Sequence, residues 1–242
     1  MQKRKRLPSN KPADARSRKS ITACIRCGTC CKKGGPSFHH ADKRLIEEGI
    51  IHSRWLYTIR KGELAYDNVR ERLLPVDSDI IKLKGQNDSW TCIFFDESQR
   101  ACRIYAHRPM ECKALQCWDT RRLEKIYAKH RLTRADLISE IEGLWGLVED
   151  HQRRCDYDTI QKLVKALDRP QKKKTRKQLI EIIQYDSEIR KLVVAKAGLN
   201  ADMLDFLFGR PLTLTIQNFG VRVNPSGEKI SLMPPIRRSP AC

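Results

Sequence analysis

The chain has 242 residues, a formal net charge of +19 and ten cysteines. That length buries a core without the help of disulfides, and the sequence holds no apolar run of about 18 residues that would cross a membrane. The first 20 residues lack the apolar stretch of a secretory signal, so the expected setting is cytoplasmic, where clustered thiols serve as metal ligands or redox groups more often than as disulfides.

Residues 1–20 carry eight Lys or Arg against Asp14 and read as a disordered, solvated basic tail. Behind it stands Cys24-x-x-Cys27-x-x-Cys30-Cys31, four thiols within eight residues. A helix is expected over 41–48, with Gly49 as its left-handed cap. Mixed sequence follows to about residue 76. A strand is then expected over 80–84, and a hairpin of 92–95 with 101–105 around the polar turn 96–100. Arg108-Pro109 marks a helix start and places Cys112 in the first turn, where unpaired amides and the positive dipole end favour a thiolate.

From there the pattern is helical to about residue 197. Thr133-Arg-Ala-Asp136 is a capping signal ahead of the stripe Leu137, Ile141, Leu144, Trp145 and Val148. Ile160, Leu163, Val164 and Leu167 form the next stripe. The six basic residues of 169–177 read as a linker and helix start rather than a binding site. A long helix then ends at Gly198, and Asn200 caps a short helix to Phe208 that Gly209 closes. Segments 212–216 and 219–223 are expected to form a hairpin, with 228–232 as a third strand, before a loose end that includes Cys242.

The expected class is α+β: a small cysteine-rich metal-binding module with a short β-hairpin, followed by a mainly helical region and a C-terminal β-hairpin. In segments this gives a basic tail over 1–20, a cysteine-cluster domain over 21–130, a helical region over 131–200, a short helix and hairpin over 201–233, and a flexible tail over 234–242.

Eight cysteines carry the chemistry: Cys24, Cys27, Cys30 and Cys31, then Cys92, Cys102, Cys112 and Cys117. Buried structural cysteines scatter through apolar stripes, as Cys155 does, whereas these eight sit among Gly, Lys, Arg and Thr. A C-x-x-C turn lets two sulfurs converge on one ion, and Gly28 permits the tight backbone around them. Such a knuckle suits zinc. The same spacing also matches the first three positions of a ferredoxin-type run, so an iron–sulfur cluster fits equally. Neighbouring Cys30 and Cys31 point to opposite sides of an extended segment, which implies two centres or one centre with a spare thiol. Cys112 and Cys117 are five apart, so either the helix breaks between them or they serve different centres.

Around these thiols, His39, His40 and His107 are substitute ligands, and Arg103 and Arg108 are candidate hydrogen-bond donors to sulfur. Trp90 and Trp118 are expected to pack over the second block, and Asp96 to belong to its turn. No catalytic residue can be assigned.

Cys24-x-x-Cys27-Gly-x-Cys30-Cys31, Trp90-x-Cys92-x-Phe-Phe-Asp96, Cys102-x-Ile-Tyr-x-x-Arg108-Pro109-x-x-Cys112 and Cys117 together resemble the YkgJ-type cysteine-cluster (CxxCxxCC) family. The resemblance covers about residues 24 to 118 and implies a zinc- or iron-chelating module. Because that family includes proteins similar to flagellin lysine N-methylases, it also implies a rival activity, methyl transfer from S-adenosylmethionine to a lysine, for which the sequence shows no cofactor fingerprint. The basic excess supports a third reading, a zinc-stabilised nucleic-acid-binding protein.

Overall fold

The structure, a computed structural model, describes residues 24–87, 89–167, 170, 172–226 and 229–233. The basic tail expected over 1–20 and the loose end expected over 234–242 lie outside the described residues.

Two short 3-10 turns, Cys31–Lys33 and His40–Asp42, lead into helix α1 (Lys43–Glu47), after which Gly49 takes the expected left-handed backbone at φ +71°. Strands β1 (Leu56–Ile59), β2 (Leu64–Asp67), β3 (Arg72–Pro75) and β4 (Ile80–Leu83) form two antiparallel ribbons. β2 turns back onto β3, while β1 reaches past both to β4, with Leu56 opposite Leu83 and Ile59 opposite Ile80. Thr58 is fully buried in β1 because its hydroxyl donates to the Phe206 carbonyl at 2.7 Å.

The hairpin expected over 92–105 forms in reduced length. It consists of β5 (Phe95–Asp96) and β6 (Ala101–Cys102), with Phe95 opposite Cys102. Asp96 turns the chain, its Oδ1 accepting from Ser98 Oγ at 2.7 Å and Gln99 N at 3.1 Å.

Helices α2 (Met110–Ala114), α3 (Arg121–Ile126), α4 (Arg134–Ile138), α5 (Glu142–Arg154), α6 (Tyr157–Lys165) and α7 (Lys172–Ala197) follow. Thr133 and Asp136 form a reciprocal capping box at the start of α4. The stripe expected to run on from that cap is broken: α4 ends at Ile138, and Ile141 leaves helical backbone with ψ 84° and is 53% exposed. The break falls at residues 139–141, ahead of α5, and Gly143 and Gly146 lie inside the helix that restarts there.

After α7, Asn200 accepts from Asp202 N at 2.8 Å and caps the turn into α8 (Leu204–Phe208). The strand expected over 212–216 is helix α9 (Leu212–Thr215) instead. Leu-Thr-Leu-Thr-Ile alternates, but it also places Leu212 and Ile216 one helical turn apart, and those two are fully buried while Leu214 is exposed. A strand would have put all three on one face. The C-terminal hairpin pairs β7 (Arg222–Ser226) with β8 (Lys229–Met233), later in the chain than expected.

Two apolar clusters hold the chain together. The first gathers Phe38, Ile51, Leu56, Ile81, Phe94 and Phe95 against Leu132, Val148 and Phe206–Phe208. The second gathers Tyr157, Ile160, Leu179, Ile183, Leu212 and Ile216. Elements running from one to the other carry their charges at the crossing. Along α5, Val148 belongs to the first cluster and Cys155, just past its end, to the second, with buried His151 between; along α7, Ile183 and Val193 flank buried Asp186 and Arg190. The result is a buried polar seam. Arg134 grips Asp79 through Nε (2.6 Å) and Nη2 (3.1 Å), Arg210 pairs with the buried Glu63, and Arg60 stacks on Tyr157 with its guanidinium 4.5 Å from the ring centroid.

Candidate metal centre

The first cysteine block is a loop set by its glycine. Gly28 has φ +76°, and a Cβ there would stand 2.5 Å from Phe95 Cζ, so the loop lies directly on the ring that opens β5. Lys32 N donates to Gly28 O at 2.9 Å, closing a turn that carries Cys30 and Cys31.

The second block is delivered to this loop by backbone bonds. Cys92 N donates to Cys31 O at 2.7 Å, joining the two blocks directly. The Gln86 amide then organises the chain after Cys92, donating to Cys92 O at 2.9 Å and Phe95 O at 2.6 Å. The β5–β6 pairing places Cys102 across from Phe95, and α2 places Cys112 in its first turn, as expected. α2 ends at Ala114, so the helix breaks before Cys117.

Electrostatics show which thiols are neighbours. A hydrogen bond from Cys31 lowers the Cys30 pKa, aided by the Arg108 charge, while the same bond, burial and the charges of Cys30, Cys92 and Cys112 raise that of Cys31. Burial first, then Cys102 and Cys30, push Cys92 up. Burial first, then Cys92, Cys102, Glu111 and Cys30, push Cys112 up. Cys27 is held down by the hydroxyl and amide of Thr29 and feels Cys30. Cys27, Cys30, Cys31, Cys92, Cys102 and Cys112 thus share one electrostatic neighbourhood. Raised thiols crowded by one another are those a cation would deprotonate and draw together. Cys24 and Cys117 are exposed at the margin, Cys24 Sγ accepting from Arg26 N at 3.4 Å.

The surroundings differ from expectation in two ways. Trp90 is 66% exposed and Trp118 is exposed, so neither seals the second block; Phe94 and Phe95 are the rings buried beside it. His39 is buried for another purpose, its Nδ1 donating to Lys129 O at 2.7 Å and its Nε2 lying 3.2 Å from Glu111 Oε1. His40 and His107 are exposed. Arg108 lies over the Tyr105 ring at 3.7 Å and donates to Tyr105 O at 2.9 Å, while Arg103 faces Asp96 at 3.6 Å.

Sequence reasoning missed the support beneath Cys112. Glu111 Oε2 accepts from Ser37 N at 2.7 Å, and buried Asp42 accepts from His39 N at 3.0 Å and from Met110 N at 2.8 Å, at the start of α2. His39 and Asp42 stand three apart, the spacing of a cap, which was the available signal. Burial opposes protonation of His39, but the bonds to Glu111 and Lys129 outweigh it and raise its pKa.

Among the described residues, one trio of His, Cys, Asp or Glu side chains brings its ligand atoms within 4.8 Å of one another, and it lies outside this lobe: His151, Cys155 and Asp186. Cys30 and Cys31 are hydrogen-bonded, but among the described residues no three of the lobe's sulfurs come so close together. The helical spacing of His151 and Cys155 was visible in the sequence; their meeting with Asp186 was not.

Residues 23–136, a little under half of the chain, match the family model CxxCxxCC, described as a "putative zinc- or iron-chelating domain". No curated protein and no solved structure compared with the chain matches it. Among the described residues, no helix is long and apolar enough to cross a membrane.

Proposed function

We propose, from the premise that residues 23–136 are a CxxCxxCC zinc- or iron-chelating domain, that this protein binds metal through a polynuclear thiolate centre. The observation that carries this is the Cys92 N to Cys31 O bond, which brings two cysteine blocks from distant parts of the chain into one neighbourhood. Cys27, Cys30, Cys31, Cys92, Cys102 and Cys112 are the inner ligands, and Cys24 and Cys117 the outer ones. Six inner thiols exceed the four that one tetrahedral zinc takes, so the donor set suits an iron–sulfur cluster or two zinc ions sharing thiolates. The Arg108 charge acts on Cys30 and would offset an anionic centre. An iron–sulfur centre would serve electron transfer; a zinc centre would serve structure. The methylase and nucleic-acid readings gain no support from the comparisons.

Anaerobic purification of the full chain with quantification of iron, zinc and acid-labile sulfide tests the proposal. More than one metal per chain is expected, with sulfide and broad visible absorption if the centre is iron–sulfur, and neither if it is zinc. Folded protein that carries neither iron nor zinc when both metals are supplied during growth overturns it.

A further inference from the structure

Outside the matched domain, two helices bring three donors together in the polar seam. His151 lies in the last turn of α5, Cys155 follows one turn later, and Asp186 stands in the middle of α7. One ring nitrogen, the Cys155 sulfur and one carboxylate oxygen lie within 4.8 Å of one another, and no residue of the three is more than 1% exposed.

The hydrogen bonds fix the role of each. Asp186 Oδ1 accepts from His151 Nε2 at 2.7 Å and from Arg190 Nε at 3.0 Å, and Oδ2 accepts from Leu212 N at 2.9 Å. Because the carboxylate accepts at Nε2, that nitrogen carries the ring proton and Nδ1 presents a lone pair. Nδ1 is buried without a partner. A buried acceptor in that condition costs about 1–3 kcal/mol, and a carboxylate gripping the opposite ring N–H is how proteins orient an imidazole toward a metal. Cys155 has little else to bind, its thiol making one long contact of 3.9 Å to Ile182 O.

We propose that His151 and Cys155, with Asp186 orienting the imidazole, form a second, internal site for a thiophilic metal ion, copper(I) in preference to zinc(II). Imidazole and thiolate are the donors such ions select. Charge decides between the two. Arg190 is held by two carboxylates, Asp186 and Asp205, whereas Arg60 donates to Cys155 O at 3.1 Å, has Nε and Nη2 without a partner and pairs with no carboxylate among the described residues. Binding breaks the Cys155 S–H bond and releases its proton to solvent, so copper(I) on the thiolate adds no net charge. Zinc(II) adds one positive charge beside that unpaired Arg60 guanidinium. Since the site is enclosed, the ion enters while the helices are apart.

The test is anaerobic refolding of the full chain, stripped of metal, with copper(I) or with zinc(II), followed by desalting and metal counting beside Cys155→Ser and His151→Gln. Wild type is expected to hold one more copper than either folded variant, and to show nitrogen as well as sulfur neighbours by X-ray absorption. Equal copper content in folded variants overturns the site; if the variants do not fold, a wild-type copper spectrum with sulfur neighbours alone overturns it. An equal extra equivalent of zinc overturns the preference for copper. Both variants keep the N-terminal thiols, so loss of the all-sulfur centre is read separately from loss of this one.

Discussion

The backbone amide of Cys92 donates to the carbonyl of Cys31 at 2.7 Å. Two blocks that share no secondary structure are therefore held in register by main chain, and side-chain substitution at their cysteines leaves that register in place.

Ligand identity follows a gradient from this contact. Cys30→Ser, Cys92→Ser or Cys112→Ser is expected to remove most of the bound metal, because each lies within the shared field of the others. Cys117→Ser is expected to retain most of it, since that thiol is exposed beyond the end of α2. Elemental analysis of the four purified variants checks the order; equal losses at all four positions would show that the margin closes over the centre.

Gly28→Ala is expected to destabilise the protein by about 2 kcal/mol, combining a left-handed backbone strained for alanine with a methyl group driven into a buried ring. The added Cβ would stand 2.5 Å from Phe95 Cζ at φ +76°. Urea unfolding measures the loss, and an unchanged midpoint would mean that the loop does not rest on Phe95.

Asp42→Ala leaves two backbone amides, His39 N and Met110 N, without their acceptor. The expected cost is about 2 kcal/mol for unpairing buried donors. Because Met110 opens the helix that carries Cys112, weaker metal retention under chelator challenge is expected alongside the lower unfolding midpoint.

Thr133→Ala removes half of a capping box and is expected to cost about 1 kcal/mol at neutral pH. Burial opposes ionisation of Asp136, but the Thr133 hydroxyl and amide outweigh it and hold the folded pKa below the unfolded 3.8. The wild-type advantage is thus present above that pH and shrinks as pH falls through the folded value, when carboxylate becomes acid in both states. Unfolding of both proteins between pH 2 and pH 7 checks the trend.

Local signals were the legible ones. The capping box of Thr133, the stop at Gly49, the cap at Asn200 and the helix start that presents Cys112 all depend on residues within one turn of each other. The α+β class was legible in the mix of helical stripes and short apolar runs, and the likeness of residues 23–136 to a chelating domain in the cysteine spacing. What failed was periodicity where two periods fit. Leu212 to Ile216 satisfies both two and four, and only the second cluster beneath it selects the helix. The β1–β4 pairing was illegible because it skips a hairpin, and the Glu111–Ser37 and Asp42–Met110 bonds because each spans far more sequence than any local pattern. Tryptophan misled through its size: Trp90 and Trp118 were expected over the thiols, but smaller phenylalanines fill that space.

The order of synthesis gives the Thr58 hydroxyl bond to Phe206 a further meaning. That bond ties β1, under the thiol lobe, to a helix near the far end of the chain. At roughly 5–20 residues per second, Cys31 leaves the ribosome several seconds before Cys92, and the Phe206–Phe208 wall follows later still. The first four thiols therefore wait, open to oxidation, at least until Cys92 and Cys112 have been made, and longer for the Phe206–Phe208 wall.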